Sequence, residues 1–362
     1  MDPRFPAWLC ALLYPAGLVY RSGVMLRNSL YRRGALPVFR LDIPVISVGN
    51  LIVGGTGKTP FVAYLAARLR ESGRRVAVAS RGYGGIAHST PKVVSDGSGS
   101  TVSAKEVGDE PVLLAQALPS VGVVVCRDRA AAARTARDRL RSDLVILDDG
   151  FQHRRLARDL DLLLVGAEDG FGNGRMLPCG PLREPLGELA RCDAIVVTGA
   201  PRQLNEAAGQ VRKLLQRMRL DRAIFLSERH LDGFVRLDTD ERIEPQALKG
   251  MRALAFSGIA RPLCFERDLE AAGIELVDTL QFRDHQTLGA SQVETIRKAV
   301  RQSRPDVVIT TEKDRVRLGS VRFSSPVYAA RIRMIPVDEE GFLALVTERI
   351  SEADRRAAGL GR

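Results

Sequence analysis

Short runs of apolar, often β-branched residues recur along the chain, and each run ends in glycine or in polar residues. In the first half these runs occupy residues 45–48, 76–80, 121–125, 144–147, 160–165 and 194–198. Between them, apolar residues recur every three or four positions, as in Phe61–Leu69. Continuous apolar runs are typical of buried strands, and the longer period is typical of helices. The alternation of the two patterns predicts an α/β fold built on an open sheet.

The same alternation resumes after residues 227–250, a polar stretch of weak periodicity that we interpret as a linker. Beyond it, strands are predicted at 253–256 and 307–310, and helices at 263–272 and 291–302. The break predicts a core over residues 41–226 and a second, smaller α/β lobe over residues 251–335. A charged C-terminal helix is predicted over residues 336–362.

The stretch Val45–Pro60, VISVGNLIVGGTGKTP, joins the first apolar run to the first helical pattern through a glycine-rich loop. The loop and the residues after it are Gly54, Gly55, Thr56, Gly57, Lys58 and Thr59. Strand, glycine loop, Lys-Thr and helix form the layout of a P-loop, although Ile52 stands where the strict pattern has its first glycine. Glycines let backbone N–H groups approach phosphate oxygens, and the helix start adds its positive dipole end. We expect this loop to bind nucleotide phosphates together with Lys58, and the Thr59 hydroxyl to hold Mg²⁺.

Two adjacent aspartates follow the apolar run 144–147. Asp148 and Asp149 lie some ninety residues after Lys58, at the expected end of a buried strand. Adjacent carboxylates are costly in such a place unless a cation compensates them. An apolar strand that ends in Asp is the Walker-B arrangement, whose carboxylate holds the Mg²⁺ that bridges the phosphates. We therefore expect this pair on the metal side of the nucleotide site.

Other polar motifs follow predicted strands or precede predicted helices. Arg81 and Tyr83 lie in a glycine-rich turn after the run 76–80, where ligands bind in open α/β sheets. Asp109 and Glu110 precede a predicted helix, where they either serve a site or simply complement the helix dipole. The Ala/Arg helix that follows Arg127 and ends near Arg141 is expected to present a solvated face.

The N-terminal segment, residues 1–40, combines an uncharged stretch with arginines. Pro6–Tyr20 has no charged residue, is too short to cross a bilayer comfortably and contains Pro15. Several arginines follow it before Asp42. This combination favours a helix that lies on an anionic membrane surface. A helix packed on the body of the protein is the alternative.

Composition narrows the class of partner. The 362 residues are 45% hydrophobic and 27% charged, which is typical of a folded protein. The net charge of +11 indicates an anionic partner. Aromatic residues make up 5% and are not interleaved with a basic face, so no nucleic-acid partner is expected. The five scattered cysteines indicate neither a disulfide framework nor a zinc site.

Taken together, the motifs resemble one family along most of the chain. They are GNLIVGGTGKTP, SRGYGG, GDEP, ILDDGFQHRRL, GPLREP, DHQ and TTEKD. In this order, from about residue 10 to residue 335, they are similar to the tetraacyldisaccharide 4'-kinases of lipid A biosynthesis. The resemblance implies two α/β/α lobes joined by a β-ribbon, with the active site between them and a P-loop NTPase-like core.

The resemblance also implies an activity and a location. Members of the family transfer the γ-phosphate of ATP to the 4'-hydroxyl of a tetraacyldisaccharide 1-phosphate, with Mg²⁺, at the cytoplasmic face of the bacterial inner membrane. The expected partners are therefore that acylated lipid and the anionic membrane surface, which the N-terminal segment either touches peripherally or enters shallowly. No oligomeric state is predicted.

Site residues are carried over by position in this sequence. Asp109 and His285 resemble the catalytic dyad of the family, and Lys58 is the third catalytic residue that the resemblance implies. The metal residues implied are those already assigned, Thr59, Asp148 and Asp149. Residues implied to line the substrate cleft are Arg81, Tyr83, Glu110, Arg183 and Glu184.

A nucleotide-switch ATPase or GTPase at the membrane is the alternative interpretation. The deviant switch loop carries Lys just before its two glycines, where this chain has Val53. A guanine-reading motif needs Asp two positions after Lys313, where this chain has Arg315. The kinase interpretation is therefore favoured.

Overall fold

The computed structural model of the chain describes residues 7–82, 85, 89–99, 102–284, 286–318, 321 and 323–360. Within them the helices are α1 (Ala7–Arg32), α2 (Lys58–Glu71), α3 (Ala104–Val107), α4 (Asp109–Ala117), α5 (Arg129–Leu140), α6 (Pro201–Arg217), α7 (Pro262–Ala271), α8 (Ala290–Ser303), α9 (Glu312–Leu318) and α10 (Glu339–Leu360). The strands are β1 (Val45–Gly49), β2 (Val76–Ser80), β3 (Lys92–Ser95), β4 (Gly122–Val125), β5 (Leu144–Asp148), β6 (Leu160–Gly166), β7 (Ala194–Gly199), β8 (Ala223–Arg236), β9 (Arg242–Ile243), β10 (Arg252–Ser257), β11 (Glu275–Gln281), β12 (Val307–Thr311) and β13 (Val327–Pro336). Two short 3₁₀ helices are Leu186–Arg191 and Pro245–Leu248.

These strands form one mixed sheet. Its order is β11-β10-β12-β13-β8-β7-β6-β1-β5-β2-β4-β3, and β9 pairs with β8. Three of the strand pairs are antiparallel, namely β3 with β4, β8 with β9 and β8 with β13, and the other pairs are parallel. The predicted α/β class is confirmed.

The long strand β8 connects the two halves of the sheet. Its first residues run parallel to β7, where Ala223 faces Ala194. Its last residues run antiparallel to β13, where Arg236 faces Tyr328. The segment 227–250, predicted as a linker, therefore contains the second part of β8 as well as β9. Six of the ten residues 227–236 are half-buried or exposed, and their sequence has no long continuous apolar run. The domain boundaries themselves stay a prediction.

Helices α2 and α10 share one core. The buried positions of α2 include Phe61, Val62 and Leu65, which recur at helical spacing. The rings of Phe61 and Phe342 lie with centroids 5.6 Å apart in an edge-to-face arrangement. The predicted C-terminal helix is thus present as α10, and it packs on the half of the molecule that carries the P-loop.

Helix α5 corrects one expectation of the sequence analysis. Its face towards the sheet consists of the buried residues Arg129, Ala130, Ala132, Ala133 and Ala136. The small alanine side chains allow the helix to approach the sheet closely, and the remaining arginines of the helix are half-buried or exposed. The helix is therefore half core, and Arg129 at its start is only 4% exposed.

Helix α1 leaves large apolar side chains in solvent. Trp8, Leu12 and Val19 are 70%, 71% and 74% exposed. No helix within the described residues has the length and apolar character that crossing a membrane requires.

Candidate active site

The P-loop and the two aspartates meet at the carboxyl ends of neighbouring central strands. Strands β1 and β5 are parallel neighbours, and Val48 faces Asp148 in their register. Their carboxyl ends therefore lie side by side, as in other open α/β sheets that bind ligands at this edge. The structure brings together the two motifs that the sequence predicted as one nucleotide site.

The P-loop is held at Thr56, by Asn50 and by Thr198 of β7. Gly57 has φ of +74° and directly precedes Lys58, the first residue of α2. The positive φ of Gly57 is a conformation that favours glycine, and the Met334 side chain lies close to the same position. The buried Thr56 hydroxyl accepts a hydrogen bond from Asn50 Nδ2 at 3.1 Å, and the Thr56 carbonyl accepts one from Thr198 Oγ1 at 2.8 Å. The loop is therefore fixed at the start of α2, where the helix dipole favours anions.

Asp149 lies between two cations. Lys58 Nζ is 3.5 Å from its Oδ1, and Arg183 Nη1 donates to its Oδ2 at 2.8 Å. Burial alone would raise the pKa of Asp149, but the charges of Lys58 and Arg183 outweigh burial and hold that pKa well below its usual value. Asp149 also has φ of +53°, a left-handed conformation that costs free energy and is typical of functional sites.

Asp148 is buried, and two other carboxylates lie near it. Its Oδ2 accepts a hydrogen bond from Ser80 Oγ at 3.3 Å. Burial, with the neighbouring carboxylates of Glu110 and Asp149, raises the pKa of Asp148 to about 7. The surroundings of Asp148 therefore favour an additional positive charge.

The donors at this edge fit a magnesium ion. Asp149 Oδ1 is buried and has no hydrogen-bond partner among the described residues. Those residues contain no group of three or more His, Cys, Asp or Glu side chains that could hold a metal on their own. Mg²⁺ needs no such group, because it is usually held by one or two carboxylates together with substrate phosphates. Asp148, Asp149 and the Thr59 hydroxyl supply that kind of incomplete oxygen set.

Asp109 and Glu110 contact helix α9, which comes from the other half of the sheet. Asp109 is 5% exposed and accepts a hydrogen bond from Arg317 Nε at 2.7 Å. Lys313 Nζ lies 3.4 Å from Glu110 Oε1 and 4.0 Å from Asp109 Oδ2. The same Nζ is 3.4 Å from Asp284 Oδ1. Lys313 therefore joins the GDEP motif to the segment that precedes residue 285.

Lys313 and Arg317 were not predicted as site residues. The TTEKD motif that contains Lys313 was used for the family resemblance and was found to match a guanine reader poorly, but no site role was assigned to its residues. Asp314 in that motif is fully buried and accepts from the Gly258 backbone N–H at 2.9 Å and from the Thr311 hydroxyl at 2.7 Å. Asp314 thus fixes the start of α9, and α9 carries the two cations to Asp109.

The remaining predicted residues divide into three groups. Arg81, Glu110 and Arg183 line the cleft above the P-loop. Tyr83 and His285 lie outside the described residues. Glu184 is fully buried behind the cleft, where Arg27 and Arg191 pair with its carboxylate. The structure therefore brings Arg183 to the site and places its neighbour Glu184 in a separate network of charges.

His153 is a neutral residue of the cleft wall. Its Nε2 accepts a hydrogen bond from the Arg129 backbone N–H at 3.2 Å. Burial, assisted by the charge of Arg129, lowers the pKa of His153 to about 4. An acceptor nitrogen that faces an N–H donor requires the unprotonated ring.

His153 is therefore expected to make stability sensitive to acid. The pKa of His153 is about 6.5 in the unfolded chain and about 4 in the folded one. As pH falls, the unfolded chain therefore takes up the proton at a higher pH than the folded chain does. Its contribution to the free energy of unfolding is complete above pH 6.5 and is lost as pH falls towards 4. Between pH 7 and pH 5, the wild type is expected to lose about 2 kcal/mol more than His153→Gln in urea unfolding. Equal losses in both proteins would contradict this assignment.

The site opens into a cleft of about 1220 Å³. Its walls come from both halves of the sheet, and α1 contributes Tyr20 and Arg27. Residues from the second half include Ile259, Ala260 and Lys313. A cleft of this size exceeds what a nucleotide alone requires.

A protein-family model and curated relatives match nearly the whole chain. The model described as tetraacyldisaccharide-1-P 4'-kinase matches residues 9–351. A tetraacyldisaccharide 4'-kinase of Anaeromyxobacter sp. (strain K) is 44% identical over 326 residues, which cover 89% of this chain and 84% of that protein. The protein of the same name from Syntrophus aciditrophicus is 40% identical over 348 residues, with 94% and 93% coverage. The one from Geobacter sulfurreducens is 44% identical over 328 residues, with 90% and 89% coverage.

A solved structure shows the same fold. The crystal structure of the "apo" form of LpxK from Aquifex aeolicus in complex with ATP superposes with a TM-score of 0.73 at 33% sequence identity. The superposition covers 94% of this chain and 99% of that one. The similarity therefore extends over both halves of the sheet.

Proposed function

Since this chain belongs to the family of tetraacyldisaccharide 4'-kinases, we propose how its cleft carries out that reaction. The chain is an ATP-dependent kinase of lipid A biosynthesis that acts on the 4'-hydroxyl of a tetraacyldisaccharide 1-phosphate, and the switch ATPase or GTPase is not favoured. The observation that supports the site is the convergence of Lys58 and Arg183 on Asp149 beside the P-loop.

The chain's own groups position and neutralise the phosphates. In this proposal the backbone N–H groups of residues 54–58 hold the phosphate oxygens at the start of α2. Lys58 leaves Asp149 to contact the β- and γ-phosphates, and Arg183 keeps that carboxylate in place. Phosphoryl transfer depends mainly on such positioning and on charge neutralisation.

Magnesium is proposed as the cofactor. Asp148, Asp149 and the Thr59 hydroxyl are the residues that would hold it. A bound Mg²⁺ would supply positive charge against the negative charge that develops during phosphoryl transfer. Two observations support this assignment: among the described residues, Asp149 Oδ1 is buried with no hydrogen bond and only the ion pair with Lys58 beside it, and the pKa of Asp148 is raised.

The acceptor hydroxyl needs a base on the opposite side of the cleft. We assign that role to Asp109 with His285. Asp284, which precedes His285 in the sequence, shares Lys313 with Glu110 of the GDEP motif, and this supports the pairing. Arg81 and Glu110 line the cleft and are proposed to contact the acceptor.

The product identifies the reaction. Incubating the protein with ATP, MgCl₂ and a defined tetraacyldisaccharide 1-phosphate should add one phosphate to the lipid, at the 4' position, as read by mass spectrometry and fragmentation. Consumption of ATP should depend on the lipid. ATP hydrolysis that proceeds equally without acceptor would instead support the switch interpretation.

Association with the anionic cytoplasmic face of the inner membrane is proposed for α1. Its exposed apolar side chains include Trp8, Leu12, Val19 and Leu26. Arg21, Arg32 and Arg33 lie on or just beyond the same helix and are exposed or half-exposed. Apolar insertion combined with basic residues is the usual means by which interfacial helices bind anionic bilayers.

Replacing Leu12 and Val19 by serine is expected to weaken binding to anionic vesicles by roughly tenfold or more, because each apolar side chain contributes when it enters the bilayer. The measurement is cosedimentation with phosphatidylglycerol vesicles, which higher salt should also weaken. The matched control is Leu263→Ser with Val337→Ser, because these side chains are 56% and 58% exposed but belong to other parts of the molecule. Equal binding by the two double variants would refute a specific role for α1.

A further inference from the structure

The face of α1 that is turned away from solvent lies along the connection between β6 and β7. We call this connection, residues 167–193, the Arg183 loop. The Tyr20 hydroxyl donates a hydrogen bond to the carbonyl oxygen of Arg183 at 3.0 Å. About two turns further along α1, Arg27 pairs with Glu184, and the adjacent Asn28 donates from Nδ2 to Glu188 Oε1 at 3.0 Å. The helix therefore binds the loop at Arg183 itself and at two acids that follow it.

The acids that receive these contacts are buried. Glu184 is 0% exposed and Glu188 is 7% exposed. Glu184 also accepts a hydrogen bond from Arg191 at 3.1 Å, and Arg154 pairs with Glu188. Buried carboxylates need cations and donors around them, because an unpaired buried charge is strongly destabilising. Helix α1 thus supplies part of a charge network that the Arg183 loop cannot complete alone.

The same loop reaches the phosphate site. Arg183 Nη1 donates to Asp149 Oδ2 at 2.8 Å, and Asp149 Oδ1 lies 3.5 Å from Lys58 Nζ. Tyr20 therefore contacts the backbone of Arg183, Arg27 contacts the next residue, Glu184, and the side chain of Arg183 contacts Asp149. The opposite face of α1 exposes Leu12, Val19 and Leu26.

We propose that α1 is a positioning element of the active site, which holds the Arg183 guanidinium on Asp149 through Tyr20 and Arg27. This inference rests on the proposed role of the P-loop and the aspartate pair. One face of α1 is then the proposed bilayer-binding face, and the other face fixes the Arg183 loop. Phosphoryl transfer is thereby coupled to the placement of α1.

The test compares two arginines of α1 in an assay with detergent-dispersed lipid acceptor. Arg27→Gln removes the contact with Glu184, whereas Arg21→Gln removes the same charge at an exposed position of the same helix. Arg27→Gln is expected to lower kcat roughly tenfold, the usual effect of losing one charged hydrogen bond, with little change in the KM for ATP. Tyr20→Phe should lower kcat in the same sense by a smaller factor, and Arg27→Lys should recover part of the loss. Wild-type kcat in both Arg27→Gln and Tyr20→Phe would overturn the proposal.

A double variant separates positioning from a general loss of structure. If Arg27 acts through Arg183, adding Arg27→Gln to Arg183→Gln should cause little further loss of kcat. If the two losses multiply, Arg27 acts independently of Arg183 and the proposal fails. Lys58→Ala in the same assay reports on the phosphate site alone, so near-normal activity of that variant would count against the proposed function and not against the contacts of α1.

Discussion

Replacing Lys58 by alanine is expected to remove nearly all phosphoryl transfer and to leave the fold intact. Lys58 begins α2 at the end of the P-loop, and its ammonium group lies 3.5 Å from Asp149. A cation at this position neutralises the charge that develops on the transferring phosphoryl group, and such electrostatic stabilisation is usually the largest contribution to catalysis. We expect kcat to fall by roughly a hundredfold to a thousandfold.

The fold should survive because Asp149 keeps its second cation. Arg183 still donates to its Oδ2 in the variant, and the backbone of the P-loop is held by Thr56 and Gly57. Initial rates of lipid phosphorylation and the thermal midpoint are the two measurements. Lys213→Ala, at an exposed position of α6, is the matched control and should behave as wild type. Near-normal activity of Lys58→Ala would remove the P-loop from the mechanism.

Much of the first half of the fold was predictable because its strands are covered on both faces. β2, β5 and β6 are buried along their whole length, so the sequence of each is predominantly apolar, with Asp161 as the exception inside β6. In contrast, β11 lies at the edge of the sheet and is mostly half-buried or exposed. Its sequence, ELVDTLQ, has no long continuous apolar run, and no strand was predicted there.

The site divides in the same way. The P-loop and the aspartate pair were predictable because each motif is local and lies at the end of a buried strand. The contact of Arg317 with Asp109 joins residues 208 positions apart, and no local pattern encodes it. The helix that begins at Arg129 was expected to present a solvated face, because its sequence is rich in alanine and arginine. The alanines in fact pack against the sheet, and Arg129 lies on the same buried face of the helix.

Asp109→Ala and His285→Ala are each expected to lose most turnover, and the double variant is expected to lose little more than either. An ordinary aspartate has a pKa near about 4 and is a weak base at neutral pH, whereas a histidine near about 6.5 is better matched. In our proposal the Asp109 carboxylate accepts a hydrogen bond from the imidazole, and the pair takes the proton of the 4'-hydroxyl. Residues that act as one unit give strongly non-additive losses.

The structure offers a rival explanation for Asp109 and a control that tests it. Asp109 accepts a hydrogen bond from Arg317 of α9. Substitution of Asp109 could therefore lower kcat because α9 is no longer anchored. Asp314 holds the same guanidinium, with Arg317 Nη1 donating to its Oδ1 at 3.1 Å, and it is fully buried. Asp314→Asn therefore disturbs Arg317 from the side of α9. If Asp109 acts as part of the base, Asp109→Asn should lose at least tenfold more kcat than Asp314→Asn, with ATP binding largely kept. Equal losses in these two variants, or full activity in His285→Ala, would assign Asp109 to anchoring α9 instead of to proton transfer.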